Sequence, residues 1–468
     1  MKHHGCSDFI KLVIVFAIFQ CALVSTVSWG AIHYVSPTGT SSWNDSINLD
    51  RPCSAKTAMQ NARAGDIVYF RGGTYNVGCH PSTYLGALMP SNSGEEGKYI
   101  VFKAYKSERV ILNGAYDPYS EFCRVLATNN KDYIIFDGFV IQSDGGTRAG
   151  SIIVGGEIGS SNCIVQNCII NGGDLPKIKN DNIEGIRIEK GTNILIRNCK
   201  IYNFKADDDY LGISGVKSYD GTNVTIENCE IENCMTGIYP KCRNKNWDVR
   251  YSWINLCRIG IYATPYSISG VPRNCLNLKI YHNVIANSSY IGIHIYSEDA
   301  GRADYAQLYN NTIYETSSSN FEMRNGYEFK VYNNIVAGSW ISIKFGTTAY
   351  SILECDHNCY YGSSFQILTH LYSGTKTYSS LSQWQSSGEL DSGSNPGLGS
   401  IFADPKFLNL SGTMSELGDF HLALDSPCKG AGRNGADMGA NIDLVGVKTG
   451  DSGGSPPPNP SNLRKLSQ

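Results

Sequence analysis

The chain has 468 residues, a formal net charge of −3, 41% hydrophobic and 17% charged residues. Near-neutrality leaves no electrostatic footprint for nucleic acid, and 49 glycines and 29 tyrosines beside so few charges suit a turn-rich β protein better than a helical one. The length accommodates one large all-β domain or two ordinary ones.

Taken in chain order, the first 30 residues read as an export signal. Lys2 and Lys11 supply positive charge, Leu12–Val24 (LVIVFAIFQCALV) is apolar but short for a bilayer, and Ser28 and Gly30 are small residues of the kind a signal peptidase accepts. The expectation is cleavage after Gly30, a mature chain without a membrane span, and a secreted or cell-envelope location. Two of the 16 cysteines fall in this segment, so 14 remain in a chain whose compartment permits disulfides.

Further on, the chain repeats one phrase. NCIVQNCIING (Asn162–Gly172), NILIRNCKIYN (Asn193–Asn203) and NVTIENCEIENC (Asn223–Cys234) are followed by LKIYHNVIAN, AQLYNNTIYE and FKVYNNIVAG. Aligned on Cys229, one column holds Gly138, Cys168, Cys199, Cys229, Ser252, Asn283, Asn311, Asn334 and Asn358, at spacings of 23 to 31 residues. Every row is apolar three places upstream (Ile135, Val165, Ile196, Ile226 and on to Cys355) and two places downstream (Val140, Ile170, Ile201, Ile231 and on to Tyr360). The place just before the column is most often Asn, whose stacked amides can bond from rung to rung at a bend. A further strand follows in five rows: EGIRIEKG from Glu184, SGVKSYDG from Ser214, TGIYPKC from Thr236, IGIYA from Ile259 and IGIHIYS from Ile291. Short period-2 strands in a regular repeat, with no helical period, predict a β-solenoid. Nine rows plus ends make roughly ten coils, or on the order of 45–55 Å of rod at ~4.8 Å per coil. The domain is expected over residues 31–446, with the Gly/Ser/Pro-rich 447–468 as a flexible tail.

These coils follow IHYVSPTGTSSWNDS…RPCSAKTAMQNARAGDIVYFRGGTY (Ile32–Tyr75) and precede FADPKFLNL…GDFHLALDSPCKGAGRNGADMGA (Phe402–Ala440). Together the three parts resemble the right-handed parallel β-helix superfamily that includes the pectate lyases. The resemblance implies an all-β, right-handed, single-stranded parallel β-helix, with a short N-terminal capping helix in AMQNARAGD (Ala58–Asp66) and a C-terminal capping coil. It speaks for fold, since the superfamily hosts lyases, hydrolases, epimerases and binding proteins.

Cys168, Cys199 and Cys229 share a column and are expected to stack as small apolar interior residues. Cys234 and Cys257, on adjacent rungs, have a separation that suits a disulfide, and Cys53 with Cys79 are candidates to tie the N-terminal cap. No CxxC pair has zinc-ribbon spacing.

A solenoid interior is packed, so function belongs to a face or an insertion. Two consecutive coils are lengthened, by GGDLPKIKNDN (Gly172–Asn182) and FKADDDYLGIS (Phe204–Ser214). In the strands that follow, Ile186 and Ile188 are expected to point in and Arg187 and Glu189 out. The same alternation puts Lys217 and Tyr219, Tyr239 and Lys241, Tyr262 and Thr264, and His294 and Tyr296 on one outer face. Tyrosine rings stack on the C–H faces of sugars and cations bind uronate carboxylates, so the strip suits a linear acidic polysaccharide. Asp207, Asp208 and Asp209 repel one another unless a cation compensates, and with Asp181 and Asp220 they form a candidate Ca²⁺ site; a solvated acidic loop is the plain alternative. The chemistry that would use this set is β-elimination. Ca²⁺ or Arg187 neutralises a uronate carboxylate, and Lys217, or Lys241 one rung on, takes the acidified α-proton. Two alternatives stand beside it. One is an inverting glycoside hydrolase of the polygalacturonase type using Asp181 with Asp207 or Asp208, although the NTD, GHG and RIK phrases of that family are absent. The other is a non-catalytic polysaccharide-binding, adhesin or structural rod. A monomer is expected.

Overall fold

From the coil that holds Arg124–Ala127 onward, successive coils contribute short strands to three sheets that run along the molecule; the earliest coils supply only the first sheet, or the first and second. The computed structural model describes residues 30–82, 84–114, 123–143, 150–173, 183–205, 212–265, 274–296, 301–346, 352–371, 374–388, 396–409 and 414–448. Residues 1–29, where the export signal is expected, and 449–468, most of the expected tail, lie outside them. The sheets hold 14, 12 and 11 strands, and neighbours in each come from successive coils. Every strand pairing is parallel until the third sheet ends, where Ser364–Leu371 pairs antiparallel with Gly374–Tyr378. Twelve successive strands in the second sheet make a rod of roughly 50–55 Å at ~4.8 Å per step. This exceeds the expected ten coils because the first rungs, on Ile32–Val35, Ile67–Phe70 and Ile100–Ala104, lack the Asn–Cys phrase.

The register matches the aligned rows from Val165 onward: Val165 lies beside Ile196, Ile196 beside Ile226, and Ile170 beside Ile201. The row at Gly138 is shifted by one. Val165 pairs with Phe136 rather than Ile135, and Ile170 with Ile141 rather than Val140. The cause is local composition. Ile134–Phe136 and Phe139–Ile141 are apolar at every place, so a period of two cannot say which set faces inward.

The repeated Asn–Cys dipeptide has a geometric reason. Between the first and second sheets the chain turns through one residue in the left-handed region: Gly138, Asn167, Asn198, Asn228, Tyr251, His282, Asn310, Asn333 and His357. Asparagine tolerates that conformation better than other side chains. The next residue points inward and donates to the carbonyl two places back, as a second partner for an oxygen that already accepts from the bend residue of the preceding coil, as Gln166 O does from Gly138 N at 3.0 Å and Arg197 O from Asn167 N at 3.1 Å. Cys168 donates to Gln166 O at 3.2 Å, Cys199 to Arg197 O at 3.3 Å and Cys229 to Glu227 O at 3.4 Å. Ser252 donates to Arg250 O at 3.0 Å, and Asn283, Asn311, Asn334 and Asn358 do the same at 2.9 to 3.2 Å. The cysteines do stack inside, buried and unbridged, yet the column is one of donors as well as of small residues. In its lower half each Asn amide also reaches the next Asn oxygen, at 3.0–3.1 Å, making a buried ladder from Asn283 to Asn358.

Asparagine ladders from rung to rung do occur, and the strongest is at a different bend from the expected one. Asn277, Asn246, Asn223, Asn193 and Asn162 bond in series at 2.8–2.9 Å. At the anticipated bend the series is short: Asn198 to Asn167 at 3.3 Å and Asn167 to Asp137 at 2.7 Å.

A column of glycines lets the third sheet close on the second. A Cβ on Gly185, Gly215, Gly237, Gly260 or Gly292 would lie 2.7–3.0 Å from a methyl of Ile201, Ile231, Ile254, Ile285 or Ile313, and 2.5–2.8 Å from a carbonyl of the next coil. This explains the recurring G-I and G-V of those strands.

The capping helix is present at Ala55–Asn61, three residues earlier than expected, because the Ser54 hydroxyl accepts from Thr57 N and sets its start. Both expected disulfides are absent. Cys79 bonds Cys123, at a Cα separation of 4.6 Å, while Cys53, Cys234 and Cys257 are buried free thiols. Cys234 and Cys257 each turn to a bend carbonyl of their own coil, Glu232 O and Asn255 O. After the last coil the chain returns along the rod as a strap. Arg433 N meets Asn333, Asn310 meets Asp437 O, Gly446 N meets Tyr251 O and Lys448 N meets Asn198.

Truncating the buried ladder should be costly, since Asn311 Oδ1 accepts from both Asn283 N and Asn283 Nδ2. Asn311→Ala is expected to lower unfolding free energy by about 2–4 kcal/mol in urea titration, and Asn311→Ser by less, because a hydroxyl can still reach the Tyr309 carbonyl as Ser252 reaches that of Arg250.

Candidate functional site

The third sheet carries the expected face. One outward column runs Arg187, Lys217, Tyr239, and then Tyr262, His294, Glu322 and Lys344. A second runs Glu189, Tyr219, Lys241 and Thr264. All eight described residues predicted for catalysis or substrate binding belong to this face, with Tyr296 beside His294 at a ring distance of 5.2 Å. Ile186 and Ile188 point into the core as anticipated. Asp181, Asp207, Asp208 and Asp209 lie outside the described residues. Asp220 sits at the turn after the Lys217 strand and pairs with Arg243 at 3.0 Å. Among the described residues no group of three or more His, Cys, Asp or Glu is placed to hold a metal ion.

The face is not the open strip that alternation suggests. Lys217 has no exposed surface, and Arg187, Tyr239 and Tyr262 expose 6%, 6% and 7%. Pointing away from the core does not mean reaching water here, because side chains one rung apart pack on each other. Tyr239 stacks on Tyr262 at 4.8 Å, Tyr262 on His294 at 4.9 Å, and the Arg187 guanidinium lies 4.5 Å over Tyr219.

A buried ion network holds the N-terminal end of this face. Glu184 accepts from Arg124 at 3.0 Å through one oxygen and from Arg187 at 3.1 Å through the other. Arg187 also donates twice to Glu189, at 2.8 and 3.1 Å. Arg187 is therefore committed to two carboxylates, which corrects its expected role as a receptor for the carboxylate of a substrate. Burial opposes its charge, but Glu184 and Glu189 hold its pKa above the ordinary value. Breaking such a pair would strand a buried charge, so the network is a rigid floor for what lies above it.

Lys217 stands on that floor. Its amine donates to Gly212 O at 3.0 Å and lies 4.9 Å from the Tyr239 ring and 5.4 Å from the Tyr219 ring. Its pKa falls to about 7. Burial is the main cause, Glu184 opposes it, and Lys241, Arg187 and Arg124 add to it. Lys241 is half-buried, with its pKa also lowered chiefly by burial. His294 is pushed down to about 3 by burial and by Arg324 and Lys344, so it is neutral. Among the described residues neither of its ring nitrogens has a hydrogen-bond partner, and Glu322 at 3.8 Å is too far for one.

Sequence reasoning missed Arg124, Glu184, Glu322, Arg324 and Lys344. The alternation that found Arg187 also puts Glu322 and Arg324 outward, in turn with the inward Phe321 and Met323, so those two were legible. Glu184 has the parity of an inward residue, and Arg124 precedes the repeat.

The comparisons with known proteins agree with the architecture. The model for a right-handed beta helix region matches residues 157–276. A pectate lyase, Pel9A, superposes with a TM-score of 0.53 at 18% identity, over 89% of this chain and 97% of that one. XylC in complex with xylose gives 0.47 at 13% identity, over 80% and 87%. A mannuronic acid specific family 6 polysaccharide lyase from human gut microbiota gives 0.42 at 15% identity, over 72% and 82%. No curated protein matches the chain in sequence. At these identities the likeness is one of fold: the chain is a right-handed parallel β-helix. No helix among the described residues is long and apolar enough to cross a membrane.

The depressed amine has a measurable consequence for stability. Between a folded-state pKa of about 7 and the ordinary 10.5, the unfolded chain binds a proton that the folded chain does not. The burden of Lys217 on folding is therefore complete below about pH 7 and fades as pH rises toward the ordinary value. Lys217→Met is expected to raise the melting temperature, by more near pH 6 than near pH 9 (both roughly chosen to flank the folded pKa).

Proposed function

We propose that this chain is a secreted polysaccharide lyase that cleaves an acidic, uronate-containing polymer by β-elimination, with Lys217 as the base. The observation that carries this reading is the Lys217 amine, held at a pKa of about 7 among Arg124, Arg187 and Lys241 on a face lined with tyrosines. An amine near neutrality is both free of its proton and basic enough to take one. It would remove the proton α to the uronate carboxylate; the electron pair forms the ring double bond, and the glycosidic oxygen β to it leaves.

Arg187 and Glu184 act here as positioning residues, since they touch each other and not the polymer. Lys241, half-buried in the neighbouring column, is the amine a substrate meets first. Lys217 is reached only when the polymer displaces part of its cover. Calcium would supply neutralisation of the substrate carboxylate when bound. With Asp220 paired to Arg243, its ligands would come from Asp181, Asp207, Asp208 and Asp209, and this part of the proposal rests on carboxylate chemistry alone. The fold shared with a pectate lyase supports the class of substrate by architecture: a rod offers a face along which a linear polymer can lie.

The test is to incubate the mature protein with pectate, alginate and chondroitin, with calcium and then with a chelator, following the ultraviolet absorbance of unsaturated products. Absorbance should rise with calcium, and the rate should climb with pH through about 7 as Lys217 loses its proton. Lys217→Ala should cut kcat by roughly 10²–10⁴-fold, whereas Lys241→Ala should raise KM more than it lowers kcat. New reducing ends without absorbance would establish hydrolysis and reject the elimination.

A further inference from the structure

The C-terminal end of the rod holds a second recess, away from the charged face. The strand Ser364–Leu371, the last parallel member of the third sheet, opens into a cavity of about 610 Å³. It lies six strands beyond that of Lys217, roughly 29 Å at ~4.8 Å per strand. The volume is in the range of small-ligand sites, roughly 300–1,000 Å³.

Its walls have a particular chemistry. Ser364, Ser379 and Ser382 line it, with Leu381, Phe365 and Phe402. None of the described lining residues is ionisable, in contrast to the Lys217 face. The Ser364 and Ser379 hydroxyls have no partner among the described residues, and Ser382 shares its own with Ser380 at 3.1 Å. A hydroxyl both donates and accepts, which suits a polyol.

Aromatic rings are exposed at this end of the rod. Phe402 is 47% exposed and lies at right angles to Phe365, with ring centres 5.8 Å apart. Two more large aromatics are exposed at the same end: Trp340, which pairs with Ser364 across the sheet, and Tyr361, whose neighbour Tyr360 pairs with Phe402. Trp340 exposes 45% and Tyr361 43%. Exposed rings gathered at one end of a rod are a pattern that a folded chain keeps where something docks.

We propose that this recess binds a neutral saccharide, one or two sugar units long. The Phe402 face would cover the C–H side of a ring, and Ser364 and Ser379 would bond its hydroxyls. An anion finds no cation there to offset its desolvation, so the site discriminates against uronates. It would thus grip an uncharged glycan, or an uncharged stretch of a mixed one, independently of any chemistry at Lys217.

Isothermal titration of the mature chain with neutral xylo-, manno- and gluco-oligosaccharides, and with oligogalacturonates as charged controls, tests this. A neutral oligosaccharide should bind in the millimolar range or tighter. Phe402→Ala should weaken binding at least tenfold, and the surface change Ser379→Ala several-fold, with melting temperature and turnover of acidic polymer unchanged. If Phe402→Ala proves unstable, Ser379→Ala alone decides. No binding by any neutral oligosaccharide, binding indifferent to both substitutions, or equal binding of oligogalacturonate lost with the same substitutions would overturn the proposal. Absence of lyase activity would not, since the readout is binding.

Discussion

A carbonyl buried at each bend is the constraint on which this rod depends. Where the chain turns from the first sheet to the second, that oxygen takes two partners: a backbone N–H of the preceding coil, as Gly138 N to Gln166 O at 3.0 Å, and an inward side chain of its own coil. The answer is two residues long: one that accepts a left-handed conformation, then one that is small and carries a donor. Asn followed by Cys meets both needs, and so do Tyr251–Ser252, His282–Asn283 and His357–Asn358. Cysteine is used because it fits a crowded interior as a small apolar group and still offers a weak donor. Where asparagine replaces it, from Asn283 on, the amide has atoms to spare and ties each coil to the next.

Stacking at ~4.8 Å has a price elsewhere on the molecule. Every outward residue is held against its equivalents on neighbouring coils, so like charges are brought close and side chains shield one another. On the third sheet this produces a buried set of ions, Arg124, Glu184, Arg187 and Glu189, and shuts Lys217 beside them off from the solvent. The same stacking farther along gives the Tyr239–Tyr262–His294 pile, whose imidazole stays neutral for want of solvent. The depressed amine on this face is a product of the repeat, because no single coil could desolvate it to this extent.

The ends of the rod escape the repeat and take on other roles. The capping helix covers the first coil, the Cys79–Cys123 bridge ties the early coils, and Gly114 leaves room for it, since a Cβ there would lie 2.4 Å from Cys123 Sγ. At the far end the antiparallel hairpin breaks the stacking, and the serine and aromatic recess appears where side chains no longer have a next coil to cover them.

By itself the sequence determined the architecture. Two apolar columns, a donor column and the recurring G-I strands stand at fixed offsets, and a period-2 pattern leaves little choice of face once Val165, Ile196 and Ile226 are aligned. It also determined which residues leave the core on the third sheet, from Arg187 to Tyr296. It failed where its signal was degenerate: at Ile134–Ile141, apolar on both parities, and at the disulfides, since cysteines on adjacent rungs look alike whether they bond each other or a carbonyl. Only the tertiary structure decided the state of the site. That Arg187 is spent on Glu184 and Glu189, that Lys217 is sealed from water, and that Cys79 finds Cys123 are facts of distance and burial. They depend on side chains from different coils meeting in space, and a linear pattern carries the direction of a side chain but not its neighbours.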